Sequence, residues 1–343
     1  ALPAWQGAIG MQRIVYEAGI RAGGRSDSQA EAGLALARDV KAAGGKYLAE
    51  SPMASDLIDT ISGMEKAYLS HEFMSAHWCP FFHADVAAAM AEAKLDWVAS
   101  ANPLENFNEL MLTEEQRALL DRYKDPIMRE LVKDTCQPRQ LRHDVFVRGA
   151  RRLSDQERDV VIGGLTLSPL VSPGELQTKL QVPAGVAEMA GPLKDMMEMA
   201  MQGTATVADL LKSAKGRSSP IELASVLVGS NQCQIVMRPD DAQPDSADRL
   251  NRVLAARVDS IVEPKTSGGL ASSRLGGGLP AATLVQFIAG RLLDGQREDD
   301  ADAWIAQLSR DVLPEKHDRV REVVTAAIEQ RVPVLRRLGI VPQ

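Results

Sequence analysis

Aromatic residues are scarce in this chain, at 4% of 343 residues, and there are only three cysteines. So few aromatics disfavour a base-stacking platform for single-stranded nucleic acid. Cys79, Cys136 and Cys233 lie far apart and are odd in number. That argues against a disulfide framework and for a reducing, cytoplasmic compartment. No apolar run approaches the roughly 18 residues that would span a bilayer. The opening ALPAWQGAIGMQR has no basic segment leading into an apolar stretch, so it does not read as a secretory signal. It also lacks an initiator Met, and its abrupt start reads as that of a cut or processed chain. Positive charge is in deficit too: 39 Lys and Arg against 46 Asp and Glu give a net charge of −7. Generic nucleic-acid binding needs a basic face, so that class is disfavoured.

What is present is ordinary for a globular protein, with 45% hydrophobic and 25% charged residues. There is apolar material for real cores. At roughly 150 residues per domain, the length allows two domains or three.

Helical spacing dominates the pattern. Met11, Ile14, Val15 and Ala18 share one helix face, and Gly23-Gly24 stop it. Ser26 or Asp27 caps the next helix, which Gly44-Gly45 end. Ser51-Pro52 opens a third. Pro80 stands where a helix could begin, and an Ala-rich stretch follows. Thr113 with Gln116 is a capping-box pair, and Asp125-Pro126 starts a helix ending near Cys136. Strand candidates are 96–100, 144–149 and 165–172.

A boundary is expected near 168–186, where Pro169, Pro173, Gly174, Pro183 and Gly185 crowd together. Beyond it the pattern predicts helices at about 186–201, at 207–214 and from Pro220, followed by a short strand at 233–239. Three helices and then a hairpin is the winged-helix order. A loop at 240–248 and a helix at 249–258 follow. Next come strand-like 259–264 and 269–275, joined by a turn at 265–269. The tail reads as three helices, the first behind Pro280 and the last opened by Pro314 and kinked or ended by Pro333. The predicted fold class is mainly α with minor β (α+β).

Several residues carry possible chemistry. A zinc-hydrolase helix needs two His at i and i+4 with a Glu beside the first. Here His71-Glu72 is followed by His77 at i+6, roughly 120° away on a helix, and Pro80 breaks the segment. A folded-back loop could still gather His71, His77, His83 and Cys79 around a metal. The alternative is that these imidazoles anchor a buried loop. Arg139, Arg142, Arg148, Arg151 and Arg152, with His143, form a basic cluster. It is either a contact for an acidic partner or phosphate, or a set of internal ion pairs. Gly276–Gly278 lacks the Lys and Ser/Thr of a phosphate-binding loop, and no G-x-G-x-x-G follows a hydrophobic strand. The 187–238 unit has five basic and five acidic residues, and its third helix carries Glu222 with no Lys or Arg. A protein-binding role is therefore favoured over DNA binding.

Certain motifs add a resemblance. Tyr68-Leu69, His71-Glu72-Phe73, then Pro80-Phe81-Phe82-His83 and Lys94-Leu95-Asp96-Trp97-Val98 form one set. Arg139, Leu141, Arg142, Val145 and Arg148 complete it. Together they resemble the methyltransferase regulatory domain of bacterial class I S-adenosylmethionine-dependent methyltransferases. Lys94 stands where that family usually has Gly, and Leu141 where it has Phe. The opening ALPAW is similar to the end of the catalytic domain in these enzymes. Residues from about 175 onward, LLDG at 292–295 included, are more loosely similar to the C-terminal parts of protein-lysine methyltransferases that act on outer-membrane proteins.

The resemblance implies four regions: a helical linker from an upstream catalytic domain (1–50), the regulatory domain (51–172), a winged-helix-like domain (173–278) and a C-terminal helical segment (279–343). Tyr68, His71, Glu72, Pro80, Phe81 and His83 would be structural. No catalytic, cofactor-binding or metal residue carries over, and S-adenosylmethionine would be bound by the full-length enzyme. The implied partners are the catalytic domain and a protein substrate, with dimerisation a further role. Nucleic acid and membrane insertion are not implied. A stand-alone adaptor of a separate methyltransferase and a His-based metal hydrolase are the alternatives.

Overall fold

Apolar positions at helical spacing become a packed bundle at the start of the chain. The computed structural model describes residues 7–137, 139, 141–213, 218–238, 245–258, 268–310 and 312–342. Helices α1 (Ile9–Ala22) and α2 (Ser26–Ala42) are separated by Gly23 and Gly24, at φ 72° and 85°. Those left-handed values suit glycine, which has no Cβ to clash. Short α3 (Lys46–Ala49), then α4 (Pro52–Ile61) and α5 (Lys66–Phe73), follow. Met11, Val15, Leu34, Ile58, Leu69 and Phe73 share one buried core. Met11, Val15, Ala30, Leu34, Ala37 and Leu48 thus bring the expected linker stretch into this core.

The α1–α2 contact is close because Gly33 faces the Val15 carbonyl, and a Cβ there would overlap that oxygen. Gly33→Ala should therefore destabilise by about 1–3 kcal/mol through overpacking. A thermal melt checks this, and an unchanged midpoint would contradict the close approach.

The chain continues through α6 (His83–Glu92), β1 (Leu95–Ser100), α7 (Asn108–Met111), α8 (Glu114–Leu120), α9 (Pro126–Cys136) and β2 (Asp144–Arg148). The expected capping box closes. Thr113 N–H donates to Gln116 Oε1 at 3.1 Å, and Gln116 N–H donates to Thr113 Oγ1 at 3.4 Å. Asp125 caps α9 by accepting from Met128 N–H at 2.8 Å. Helix α6 starts at His83 instead of Pro80, because Asp85 accepts the Phe82 N–H at 3.1 Å. Strands β1 and β2 pair antiparallel with Trp97 opposite Phe146, and a bulge falls between Trp97 and Ala99.

Two compact units divide the chain, Ala1–Arg151 and Arg152–Gln343. The Pro/Gly-rich stretch 169–185 therefore lies within the second. That unit runs α10 (Asp155–Gly163), β3 (Thr166–Pro169), β4 (Lys179–Val182), β5 (Gly185–Glu188), α11 (Gly191–Ala200), β6 (Ala205–Thr206), α12 (Val207–Ser213) and α13 (Pro220–Gly229). It continues with β7 (Cys233–Ile235), α14 (Asp245–Ala256), β8 (Gly268–Ser272), β9 (Gly277–Ala281), α15 (Thr283–Leu293), α16 (Ala301–Leu308) and α17 (His317–Arg337).

The helix expected from 186 begins only at Gly191. Gly185, at φ 134°, turns the preceding residues into the β4–β5 hairpin. Helices α11–α13 occur in the expected order, but β7 pairs with β3, giving a sheet of order β6-β3-β7. The strand after the third helix thus closes onto an earlier strand, and β8–β9 is a separate hairpin. The expected strand at 259–264 and most of the turn at 265–269 lie outside the described residues. Pro280 is in β9 and does not open a helix. Pro333 stays inside α17, which continues to Arg337. Its neighbours Val332, Val334 and Leu335 are clamped in the same core as Trp304, Ile288 and Ile340. The fold is mainly helical with small antiparallel sheets, as predicted.

Candidate functional site

The sequence-predicted site residues converge only in part. Helix α9 places Glu130, Lys133 and Asp134 on one face, at i, i+3 and i+4 spacing, and that charged face is the buried one. Met128 on the same helix is 38% exposed. The buried charges meet Arg139 and Arg142. Arg139 donates from Nη1 to Glu105 Oε2 at 2.8 Å, from Nη2 to Glu130 Oε2 at 3.1 Å and from Nε to Asp134 Oδ1 at 2.9 Å. Arg142 forks onto both oxygens of Asp144, at 2.8 and 2.7 Å. Its Nη1 reaches both oxygens of Asp134 at 2.9 and 2.8 Å, and its Nη2 reaches Glu130 Oε2 at 2.8 Å. Lys133 Nζ donates to Glu130 Oε1 at 2.9 Å and to the Glu105 carbonyl at 3.1 Å.

Asp144 also receives the Trp97 indole N–H at 2.9 Å and lies 3.3 Å from His83 Nδ1. The His83 ring sits edge-on to Trp97, with centroids 5.3 Å apart. One network thus joins α6, α9, the β1–β2 hairpin and the turn at Glu105. The planar guanidinium forks suit this bidentate work better than ammonium groups would.

Burial would push the Asp144 carboxyl up, but hydrogen bonds from His83, Arg142 and Trp97 outweigh it and hold it well below the usual range. Burial likewise opposes ionisation of Glu130, and Lys133 and Arg142 outweigh it to lower that group as well. Both carboxyls titrate lower in the folded state than in the unfolded one. Their contribution is therefore fully present above the ordinary values of 3.8 and 4.5 and is lost as pH falls below them. The melting temperature of the first unit should drop between about pH 5 and about pH 3, and Asp144→Asn should flatten that dependence. A flat profile in the parent protein would contradict the network.

Arg139 and Arg142 are thus held inside, with side chains 8% and 4% exposed. These two are internal ion pairs, not partner contacts. Arg148, Arg151 and Arg152 remain at the surface. Arg148 donates to the Ala93 carbonyl at 3.0 Å, and Arg151 also has a partner.

His71 and His77 are exposed while His83 is buried, so the three imidazoles do not converge. No group of three or more His, Cys, Asp or Glu among the described residues could hold a metal. Glu72 accepts from the Trp78 indole at 3.4 Å. Tyr68 and Phe81 are half-exposed, at 50% and 55%. His83 is 3% exposed, and its Nε2 is buried without a hydrogen-bond partner among the described residues. Lys94, where the resembled family has Gly, adopts φ 59°, the left-handed conformation glycine favours.

Gly23-Gly24, Gly163-Gly164 and Gly276–Gly278 lack the setting that a class I methyltransferase uses for its cofactor, a strand feeding a Gly-rich turn and a helix. Gly23-Gly24 follow α1, Gly163-Gly164 end α10, and Gly276–Gly278 lie at the turn and start of β9. Every strand pair among the described residues is antiparallel. These residues do not fit the cofactor.

Residues 65–148 match the family described as a predicted methyltransferase regulatory domain. The match spans the motifs from Tyr68 to Arg148 and the whole buried network. The uncharacterized protein sll1526 of Synechocystis sp. is 24% identical over 359 residues, covering 99% of this chain and 70% of its own length. Two solved structures of PKMT2 from Rickettsia typhi also match. The first has a TM-score of 0.55 at 13% identity. The second, in complex with AdoHcy, has a TM-score of 0.59 at 12% identity. Each covers 99% of this chain and 73% of its own. At that identity the likeness is one of fold. No helix among the described residues is long and apolar enough to cross a membrane.

Proposed function

We propose that this chain is the non-catalytic, substrate-recognition portion of an S-adenosylmethionine-dependent methyltransferase that acts on lysine in a protein. The supporting observation is the coincidence of two likenesses. The regulatory-domain match covers 65–148, and the fold likeness to a protein-lysine methyltransferase extends over 99% of the chain. In this reading the enzyme works in the cytoplasm. A separate catalytic domain holds the cofactor and performs methyl transfer. This chain holds the acceptor protein, and the surface arginines Arg148 and Arg152 contribute to an acidic contact.

The test is a transfer assay with radiolabelled S-adenosylmethionine and a lysine-bearing protein acceptor. A catalytic domain joined to this chain should have a kcat/KM at least roughly tenfold above that of the catalytic domain alone. Arg148→Glu should raise KM several-fold and leave cofactor affinity unchanged. Equal kcat/KM with and without this chain would contradict the proposal. Stimulation by the chain added in trans would indicate an adaptor.

A further inference from the structure

In the second unit, α14 and the β8–β9 hairpin line an open groove of about 580 Å³. Its apolar wall is built by Leu250 and Leu254 on one side and Leu270 on the other, and Gly276–Gly278 leave its floor without side chains. Leu250 is 49% exposed although it lies on a helix that packs against the hairpin. Met237, 68% exposed, lies beside Gly276.

Two contacts hold the groove in shape. The Asn251 amide, fully buried, donates to the Ala271 carbonyl at 2.9 Å and accepts from Ala271 N–H at 2.7 Å. Ser272 Oγ ties the hairpin to the core by donating to the Leu338 carbonyl at 2.7 Å. The first contact also occupies the outer edge of β8, so a ligand cannot bind there simply by adding a strand. Recognition must come from side chains entering a preformed apolar slot.

The charge in the groove selects among such ligands. Arg238 is the one charged residue among the described lining residues. Its guanidinium has no ion-pair or hydrogen-bond partner among the described residues, while nearby Arg252 is paired with Asp294. An apolar slot flanked by a cation that no described residue pairs complements an apolar side chain next to a carboxylate.

We propose that this groove docks a segment of the protein substrate in which a large apolar residue stands beside Asp or Glu. The inference rests on the protein-acceptor reading above. The acidic residue would pair with Arg238, and the apolar one would pack against Leu250 and Leu254.

The test uses a phage-displayed random dodecapeptide library panned on the full chain, with the selected peptide then titrated by fluorescence anisotropy. Neither cofactor nor catalytic domain is present, so this readout is independent of the transfer assay. The expected result is enrichment of peptides pairing Asp or Glu with Leu, Ile or Phe. Arg238→Glu and Leu250→Asp should each weaken binding at least tenfold. Both positions are exposed, so melting temperatures should stay unchanged. Absence of enrichment, selection of basic peptides, or equal affinity in both variants would overturn the proposal. So would a dimer in sedimentation that Leu250→Asp dissolves, which would make a second copy of the chain the occupant.

Discussion

Arg142→Met should destabilise the first unit by about 3–5 kcal/mol, the usual cost of removing one partner from a buried ion pair. Methionine keeps much of the side chain's length but none of its charge. The carboxylates of Glu130, Asp134 and Asp144, all hydrogen-bonded to this one guanidinium, would be left facing each other with only Arg139, Lys133, Trp97 and His83 to compensate. In a low-dielectric interior, repulsion among them is weakly screened. Arg142→Lys should fall between the two, because an ammonium restores the charge without the fork. Arg148→Met, at the surface, should shift stability by no more than about 0.5 kcal/mol. Urea unfolding of the three variants checks the order. A loss below about 1 kcal/mol for Arg142→Met would mean the network is not an organising feature of the first unit.

Trp304→Ala should have an effect of similar size in the second unit, about 3–5 kcal/mol. Trp304 is 2% exposed and belongs to the core formed with Ile288, Leu335 and Ile340. Its removal leaves a cavity that the surrounding helices can fill only in part. The indole N–H also donates to Gln296 Oε1 at 2.7 Å, and that acceptor would lose its partner. Trp304→Phe keeps most of the volume and should cost less, including about 1 kcal/mol for the hydrogen bond. The check is the midpoint and slope of denaturant unfolding. A loss under about 1 kcal/mol for the alanine variant would contradict the packing described.

The local signals in the sequence were read well where chemistry and geometry coincide. The capping box at Thr113 and Gln116, the Asp125-Pro126 helix start and the two strands of the β1–β2 hairpin all sit where the residues place them. The regulatory-domain resemblance, carried by Tyr68, Pro80–His83 and Arg139–Arg148, agrees with the family match. The buried network was legible only by half. Arg139 and Arg142 stand out as a basic cluster, but their partners do not, because α9 buries its charged face. A periodicity rule assigns charged faces to solvent, and only tertiary pairing reverses that assignment. Asp144, two residues after Arg142, was the available hint. Long-range pairing also explains the other departures. The β4–β5 hairpin displaces the start of α11, Pro280 is held in β9 by its partner strand, and Pro333 sits in a helix clamped by buried neighbours. Hairpin partners and core contacts outweigh local propensity at each of these places.

Titration calorimetry of S-adenosylmethionine into this chain alone tests most directly the claim that it recognises a substrate and leaves the chemistry to another domain. The account predicts no saturable heat, because Gly23-Gly24, Gly163-Gly164 and Gly276–Gly278 lie at helix ends and a hairpin and the described strands pair antiparallel. Saturable binding with a dissociation constant in the low micromolar range would contradict it, since the chain would then hold a cofactor site of its own.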